Sequence, residues 1–152
     1  MSKSVDANAD DFITVQIGGQ LFGIPILEVH DVFRLERMTR VPLSRPDIAG
    51  VLNLRGRIAT TIDCRARLGI PPRAEGAAPL AVGVEHGNEL YGLLIDSVGE
   101  VLSLSADSFE PNPVNLDPRW QKISKGIYRL EGKLLVVLDM TALLDIAKRD
   151  AA

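Results

Sequence analysis

The chain has 152 residues, 46% of them apolar, and a formal net charge of −3 from 17 Lys and Arg against 20 Asp and Glu. This composition is too apolar for a disordered chain, and the length allows one domain or two very small ones. The acidic balance is not typical of a nucleic-acid-binding protein, and a single cysteine, Cys64, excludes an intramolecular disulfide.

No stretch predicts a membrane span or a secretion signal. The longest strongly apolar run, residues 134–138, is far too short to cross a bilayer. The N-terminus is polar and has no apolar signal core, so we expect residues 1–11 to form a disordered tail on a cytoplasmic protein.

The first half of the chain predicts five short strands. Alternating apolar residues and turn glycines indicate strands at 12–17, 20–24 and 29–35, then a short helical turn in "SRPDIAG". The segment "GVLNLRGRIATTID" then predicts a hairpin that bends at Gly56. Asp63 is placed to cap a short helix that ends at Gly69, and residues 71–79 form a connector rich in proline and alanine.

The second half predicts the same elements in the same order. Strands are expected at 80–84, 89–95 and 98–104, followed by a helical turn. Asp117 would cap that turn, Pro118 suits its first position, and Gly126 would end it. A hairpin bending at Gly132 follows, and Asp139 or Thr141 would cap a final helix in "ALLDIAKR".

The two halves are therefore interpreted as an internal repeat with an insertion. Val15 aligns with Val84 at an offset of 69 residues, and Gly56 aligns with Gly132 at an offset of 76. The difference of seven lies between the third and fourth strands, where the second half has the longer connection. The alternative is a chance similarity between glycine-bounded hairpins, which agreement across two separate blocks disfavours.

About five short strands cannot cover both faces of an open sheet, so each half is expected to close into a small barrel that has no exposed edges. The prediction is an all-β fold with short helices, in which residues 12–70 and 80–147 form two five-stranded subdomains related by a pseudo-two-fold repeat. Because each core would be small, the two should pack through an apolar seam built from equivalent positions.

Arginines are concentrated in one stretch of the chain. Residues 34–73 contain nine arginines and three acids, a charge of +6, which leaves −9 for the remainder. The stretch is either a solvated face or a surface that meets an acidic partner, since arginine is favoured at interfaces.

No pattern in the chain indicates catalysis. His30 and His86 lie in different halves, Cys64 follows an apolar strand, and no metal-ligand spacing, nucleophile elbow or phosphate loop is present. We therefore expect a binding module with no cofactor, no metal and no enzymatic activity. A nucleic-acid-binding or other regulatory double barrel is the alternative, supported by the arginine stretch alone.

Arg55 is the residue in which the repeat differs most in charge, because its equivalent is Glu131. At the end of an apolar strand it needs a partner, and Asp31 in the third strand can form a directional ion pair with it. This pair is either a simple salt bridge at the end of a barrel or part of a polar spot beside an apolar groove.

The segments "GIPILEVHDVF", "GVLNLRGRIATTID", "YGLLIDSVGEVLSL" and "GIYRLEGKLLVVLD" resemble the CheW family of bacterial chemotaxis coupling proteins. The similarity runs from Phe12 to Ile146, and "GVLNLRG" is its most specific part. The resemblance implies two SH3-like five-stranded barrels and a non-catalytic scaffold. It would join methyl-accepting chemoreceptors to the histidine kinase CheA, in arrays beneath the membrane but without insertion into it.

The resemblance also implies two sets of binding residues. The tip of a receptor's helical hairpin would lie in the groove between the barrels. The residues expected to bind it are Arg55, Asp31, Val29, Val32, Leu54, Ile95 and Val98. The regulatory domain of the kinase would bind barrel against barrel at the end of the first half. The residues expected there are Arg34, Val41, Leu43, Ile48 and Val51.

Overall fold

The computed structural model describes residues 9–34, 48–54, 56–71 and 80–144, and for Ile48 it describes the backbone only. Residues 1–8 of the predicted tail, most of the connector and the end of the final helix lie outside the described residues. So do three residues of the predicted binding sets, Val41, Leu43 and Arg55. Residues 9–11 were expected to belong to the disordered tail but are strand, because their backbone pairs with residues 103–105.

The described residues are mostly β-strand, as predicted. The strands are β1 (Ala9–Ile17), β2 (Gln20–Pro25), β3 (Val29–Arg34), β4 (Ile48–Leu54), β5 (Arg57–Asp63), β6 (Leu80–His86), β7 (Glu89–Ile95), β8 (Ser97–Ser105), β9 (Ser124–Leu130) and β10 (Lys133–Leu138). The helices are α1 (Cys64–Arg67) and α2 (Pro118–Gln121), with single 3-10 turns at Ile26–Glu28 and Ala106–Ser108. A further helix begins at Met140.

The predicted caps are present at all three helices. The Asp63 carboxylate accepts backbone N–H groups of α1, Asp117 does so for α2, and Asp139 accepts the N–H of Ala142 at 3.1 Å. Gly126 differs from its prediction, because α2 ends before it and Gly126 lies inside β9. Its φ of 155° and the ring of Phe109, which would be 2.3 Å from a Cβ there, require glycine.

The strands form two sheets of five. The first sheet has the order β8-β1-β2-β10-β9, and the second has the order β3-β6-β7-β5-β4. Neighbouring strands are antiparallel except for two parallel pairs, β2 with β10 and β7 with β5. Within the described residues each ladder ends in two terminal strands that do not pair with each other, so the sheets are not shown to close into barrels.

The internal repeat predicts the equivalence of the two sheets residue by residue. Replacing each strand of one half by its repeat equivalent converts the first strand order into the second. The parallel pairs have equivalent registers as well, since Leu21 lies opposite Leu135 and its equivalent Leu90 lies opposite Ala59. Residues that are 69 or 76 positions apart in the repeat therefore occupy equivalent positions in the two sheets.

The division into separate halves differs from the structure. Residues 12–70 and 80–147 were expected to form one subdomain each, but every sheet contains strands of both. The hairpin β1–β2 joins β8, β9 and β10, and the hairpin β6–β7 joins β3, β4 and β5. The physical reason is that the chain leaves one sheet for the other after the second strand of each half, through the short links at Ile26–Glu28 and Asp96. The pairs β1–β8 and β3–β6 and the parallel pairs β2–β10 and β7–β5 then all join strands of different halves.

A shared apolar core lies between the sheets, as the sequence predicts. Its central cluster takes buried side chains from both sheets. Many occupy equivalent positions in the repeat: Val15 with Val84, Phe22 with Tyr91, Ile24 with Leu93, and Ile62 with Leu138. Each sheet also has a smaller cluster of its own, one around Phe12 and Leu135 and the other around Leu52 and Leu54. The seam is thus the largest apolar contact of the molecule's described part.

Candidate functional site

Three of the predicted groove residues meet at the seam. Val29 on β3 and Val98 on β8 are repeat equivalents, and both are half-buried against the central cluster. Each lies opposite a fully buried valine of the neighbouring strand, Val84 and Val15 respectively. Ile95 is wholly buried in the same cluster. The two terminal strands β3 and β8 therefore present equivalent valines at the border between the sheets.

Leu54 lies elsewhere, in the small cluster of the second sheet. Its side chain packs over Gly83, where an added Cβ would be 3.1 Å from Leu54 Cδ2 and 3.7 Å from the backbone of Asp31. Asp31 is also the register partner of Gly83. Because Gly83 has no side chain, the end of β4 can lie close to β3 at Asp31.

Asp31 and Val32 form the polar and apolar parts of the edge of β3. The Asp31 carboxylate accepts the backbone N–H of Val32 at 2.8 Å. Val32 is 37% exposed, which is high for an apolar side chain in a strand of this protein. Its repeat equivalent, Val101 on β8, is 44% exposed. Both sheets therefore carry a solvent-accessible valine at the same place on a terminal strand.

Arg55 lies outside the described residues, and the hairpin is described on both sides of it. Asn53 Oδ1 accepts the N–H of Gly56 at 2.8 Å, and Gly56 has a φ of 85°, which fits the predicted bend. Leu54 and Arg57 face each other at the end of the β4–β5 ladder. The proposed pairing of Arg55 with Asp31 stays a prediction.

The predicted kinase-binding residues fall on both terminal strands of the second sheet. Arg34 is exposed at the end of β3, and Val51 is half-buried in β4 opposite Thr60. Ile48 begins β4, and its side chain is not described. Val41 and Leu43 lie outside the described residues. Arg34 and Val51 lie on the two terminal strands of this sheet, and their assignment to one kinase-binding surface stays a prediction.

An ion pair that no sequence pattern predicts lies at the crossing between the sheets. Arg65 Nε donates to Asp96 Oδ1 at 2.8 Å, and a second guanidinium nitrogen donates to Oδ2 at 2.7 Å. A third donates to the carbonyl of Pro71 at 2.7 Å. The hydrogen bonds to Asp96 raise the pKa of Arg65 above its ordinary value, against a smaller opposing effect of burial.

No local pattern identifies this pair, because Arg65 and Asp96 lie 31 positions apart. Arg65 was one of nine arginines assigned to a solvated or partner-binding surface. Its hydrogen-bonding groups are instead used inside the fold, so the arginine stretch includes at least one structural residue.

The described residues contain no arrangement typical of catalysis or metal binding. Within these ranges no group of three His, Cys, Asp or Glu side chains could hold a metal ion. Cys64 is buried in the central cluster. His86, at the end of β6, has its Nε2 atom 3.4 Å from Thr141 Oγ1, and His30 is exposed on β3. No helix in the described part is long and apolar enough to cross a membrane.

Comparison with known proteins identifies relatives along almost the whole chain. A family model described as a CheW-like domain matches residues 11–148. A probable chemotaxis protein CheW from Rhizobium etli is 27% identical, over 99% of this chain and 97% of the relative. The chemotaxis protein CheW of Klebsiella aerogenes is 28% identical, over 88% of this chain and 81% of the relative.

A solved structure has the same fold. The crystal structure of the scaffolding protein TtCheW from Thermoanaerobacter tengcongensis superimposes with a TM-score of 0.75 at 28% sequence identity. The match covers 85% of this chain and 88% of that one.

Proposed function

This chain belongs to the CheW family, and on that premise we propose that it couples methyl-accepting chemoreceptors to the histidine kinase CheA. Members of this family are scaffolds without catalytic activity, and this chain is a scaffold and not an enzyme. The observation that carries the proposal is the match of the family across residues 11–148, together with the superposition on a scaffolding protein. The protein would act in the cytoplasm, beside receptor arrays that are embedded in the membrane.

The receptor would bind at the seam between the sheets. A helical hairpin presents an apolar stripe, and it needs a groove with apolar sides into which that stripe fits. Val29 and Val98 border the shared core from the two sheets, and the exposed Val32 extends the apolar surface along β3. These positions support a helix lying across the border between β3 and β8.

Arg55 would provide the polar anchor of this groove. A guanidinium beside a carboxylate can form a directional, two-hydrogen-bond pair, and it can also bind an acidic side chain of the partner. The approach of Leu54 to Gly83, opposite Asp31, supports a position for Arg55 near that carboxylate. The ion pair would orient Arg55 toward the receptor.

The kinase would bind the second sheet at a separate surface. We assign Arg34, Val41, Leu43, Ile48 and Val51 to it. Closure of this sheet into an SH3-like barrel would bring β3 beside β4, and therefore Arg34 toward Val51. The exposure of Arg34 and the half-buried state of Val51 are compatible with a rim charge and an apolar contact in one interface.

The test is cosedimentation with receptor-bearing membranes, with and without the kinase. Arg55→Glu is expected to weaken receptor binding by about 2 kcal/mol or more, roughly 30-fold, because it reverses the charge of the anchor. Glu131→Arg is the matched control, since Glu131 is the repeat equivalent of Arg55 and lies in an exposed turn of the other sheet. This control should bind receptor and kinase like the unaltered protein.

Circular dichroism should show that both variants are folded. If folded Arg55→Glu protein binds receptors as tightly as the unaltered chain, the assignment of Arg55 is wrong. If the unaltered chain sediments with neither receptors nor kinase, the coupling function itself is wrong.

A further inference from the structure

A small cationic cleft lies between the two short helices, away from the proposed groove. It has a volume of about 60 Å³ and is lined by Arg67 and Leu68 at the end of α1, and by Arg119, Lys122 and Ile123 in and after α2. Leu68 and Ile123 are buried members of the shared core, so the floor is rigid. The lining residues include three cations and no carboxylate. The cleft therefore concentrates positive charge where the two sheets meet.

Arg67 has an unsatisfied hydrogen-bond donor in this cleft. Its Nε atom is buried and has no hydrogen-bond partner among the described residues. A buried donor of a charged group is costly when it has no acceptor. The repeat equivalent of Arg67 is Leu143, which is 1% exposed, so the architecture itself does not require a cation at this position. An acceptor supplied from outside the chain would satisfy Nε.

Arg119 forms an exposed ion pair beside it. Its Nε donates to Asp117 Oδ1 at 3.2 Å and its terminal nitrogen donates to Oδ2 at 2.8 Å. The guanidinium also lies over the ring of Trp120, 5.2 Å from the centroid. Asp117 offsets one of the three positive charges, so the cleft keeps a net charge near +2.

We propose that this cleft binds a tetrahedral oxyanion of the phosphate class through Arg67, Arg119 and Lys122. The planar guanidinium fork matches the spacing of phosphate oxygens, and lysine adds a point charge. A cleft of about 60 Å³ that is open to solvent has room for a small oxyanion, either as a free ion or as the terminal group of a larger molecule. The bound anion would join α1, which follows the second sheet, to α2, which precedes β9 of the first.

The source of the oxyanion is either a free ion or a phosphoryl group on a larger molecule. Inorganic phosphate and phenyl phosphate distinguish these sources in parallel titrations, followed by amide and guanidinium NMR signals at constant ionic strength. Saturable shifts at Arg67, Arg119 and Lys122 are expected. Tighter binding of inorganic phosphate assigns a free ion, and tighter binding of the monoester assigns a phosphoryl group.

Variants complete the test. Arg67→Ala should weaken phosphate binding at least tenfold, whereas Arg57→Ala removes the same charge from a side chain that is 43% exposed elsewhere and should leave binding unchanged. Lys122→Gln is the second variant, because Lys122 is exposed and its substitution can be tested even if Arg67→Ala does not fold. Lys122→Gln should weaken phosphate binding severalfold. Absence of saturable shifts, or equal weakening by Arg57→Ala, would overturn the proposal. Neither outcome bears on receptor or kinase coupling.

Discussion

Arg65 binds Asp96 through two hydrogen bonds, and this pair holds together the point where the chain crosses from one sheet to the other. Asp96 links β7 of the second sheet to β8 of the first, and Arg65 lies in α1 after β5. The carboxylate also accepts the N–H of Gly18 at 2.8 Å, in the β1–β2 turn. At the repeat-equivalent crossing Asp96 is replaced by Leu27, which is 97% exposed, so this clamp is not duplicated.

Replacing Asp96 by asparagine should destabilise the protein. The change removes the charge of the acceptor while keeping the shape of the side chain, and hydrogen bonds to charged groups contribute roughly 1.5–3 kcal/mol. Because the two side chains keep about a fifth of their surface exposed, we expect a loss of about 1–2 kcal/mol in the free energy of unfolding. Urea denaturation followed by tryptophan fluorescence measures it.

The matched control for Asp96→Asn is Glu85→Gln, which makes the same chemical change in an exposed pair. Glu85 lies 3.4 Å from Arg57, and both side chains are 43% exposed. Exposed pairs contribute about 0–1 kcal/mol, so the control should shift the unfolding free energy by less than about 0.5 kcal/mol. Equal effects of the two substitutions would show that Asp96 does not act as a clamp.

Cutting the connector should not separate the two halves of the chain. A protease site introduced within residues 72–79 would leave β1 and β2 paired with β8 and β10, and β6 and β7 paired with β3 and β5. We therefore expect the cleaved protein to elute from a sizing column as one species and to unfold in one transition. Separation into two folded pieces after cleavage would contradict the exchange of strands.

The exposed valines of the terminal strands should differ in function although they are equivalent in structure. Val32→Asp is expected to weaken receptor binding about tenfold or more, since it places a charge in the proposed apolar groove. Val101→Asp makes the same change at 44% exposure on β8, in the other sheet from the hairpin β4–β5, and should change receptor binding less than about twofold. Each should cost about 1 kcal/mol of stability or less.

Receptor binding by these two variants is measured by the same cosedimentation assay. Equal loss in both would place the receptor symmetrically over the two sheets. If neither substitution weakens receptor binding, β3 is not part of the receptor-binding surface.

Tyr128 should ionise at higher pH in the folded protein than its usual 10.0. Its ring packs with Phe12 and Phe109, at 5.6 and 5.4 Å between centroids. Burial raises the pKa of its hydroxyl, and the charge of Asp10 adds to the shift. Because the folded state holds this proton more tightly, its contribution to stability is complete below pH 10 and is lost as pH rises through the folded pKa.

The ionisation of Tyr128 can be isolated by removing the other tyrosine with Tyr91→Phe. Phenolate absorbance near 295 nm should then rise with a midpoint above that of the urea-unfolded variant. A folded midpoint equal to or below the unfolded one would contradict the burial of the hydroxyl. Asp10→Asn should lower the folded midpoint only slightly, since Asp10 is the smaller cause.

Part of the candidate site could be predicted because it follows from family resemblance and strand periodicity. Val29, Val98 and Ile95 do converge on the seam, since equivalent strands of a repeat must place equivalent residues at its axis. Leu54 packs in the small cluster of the second sheet, and its place in a receptor groove stays a prediction. The pair of Arg65 and Asp96 had no signal in the sequence, because a contact between distant side chains leaves no local periodicity.

The sequence by itself determined the short strands, the turn glycines and the aspartate caps, because the repeat and the alternation of apolar residues specify which residues face inward. Only the tertiary structure decided which half each strand pairs with. A parallel neighbour for β2 could be β5 of its own half or the equivalent β10 of the other, and both offer the same apolar pattern. Whether β2 pairs with β5 or with β10 depends on the direction that the chain takes at the short links Ile26–Glu28 and Asp96. The periodicity of apolar residues does not specify that direction.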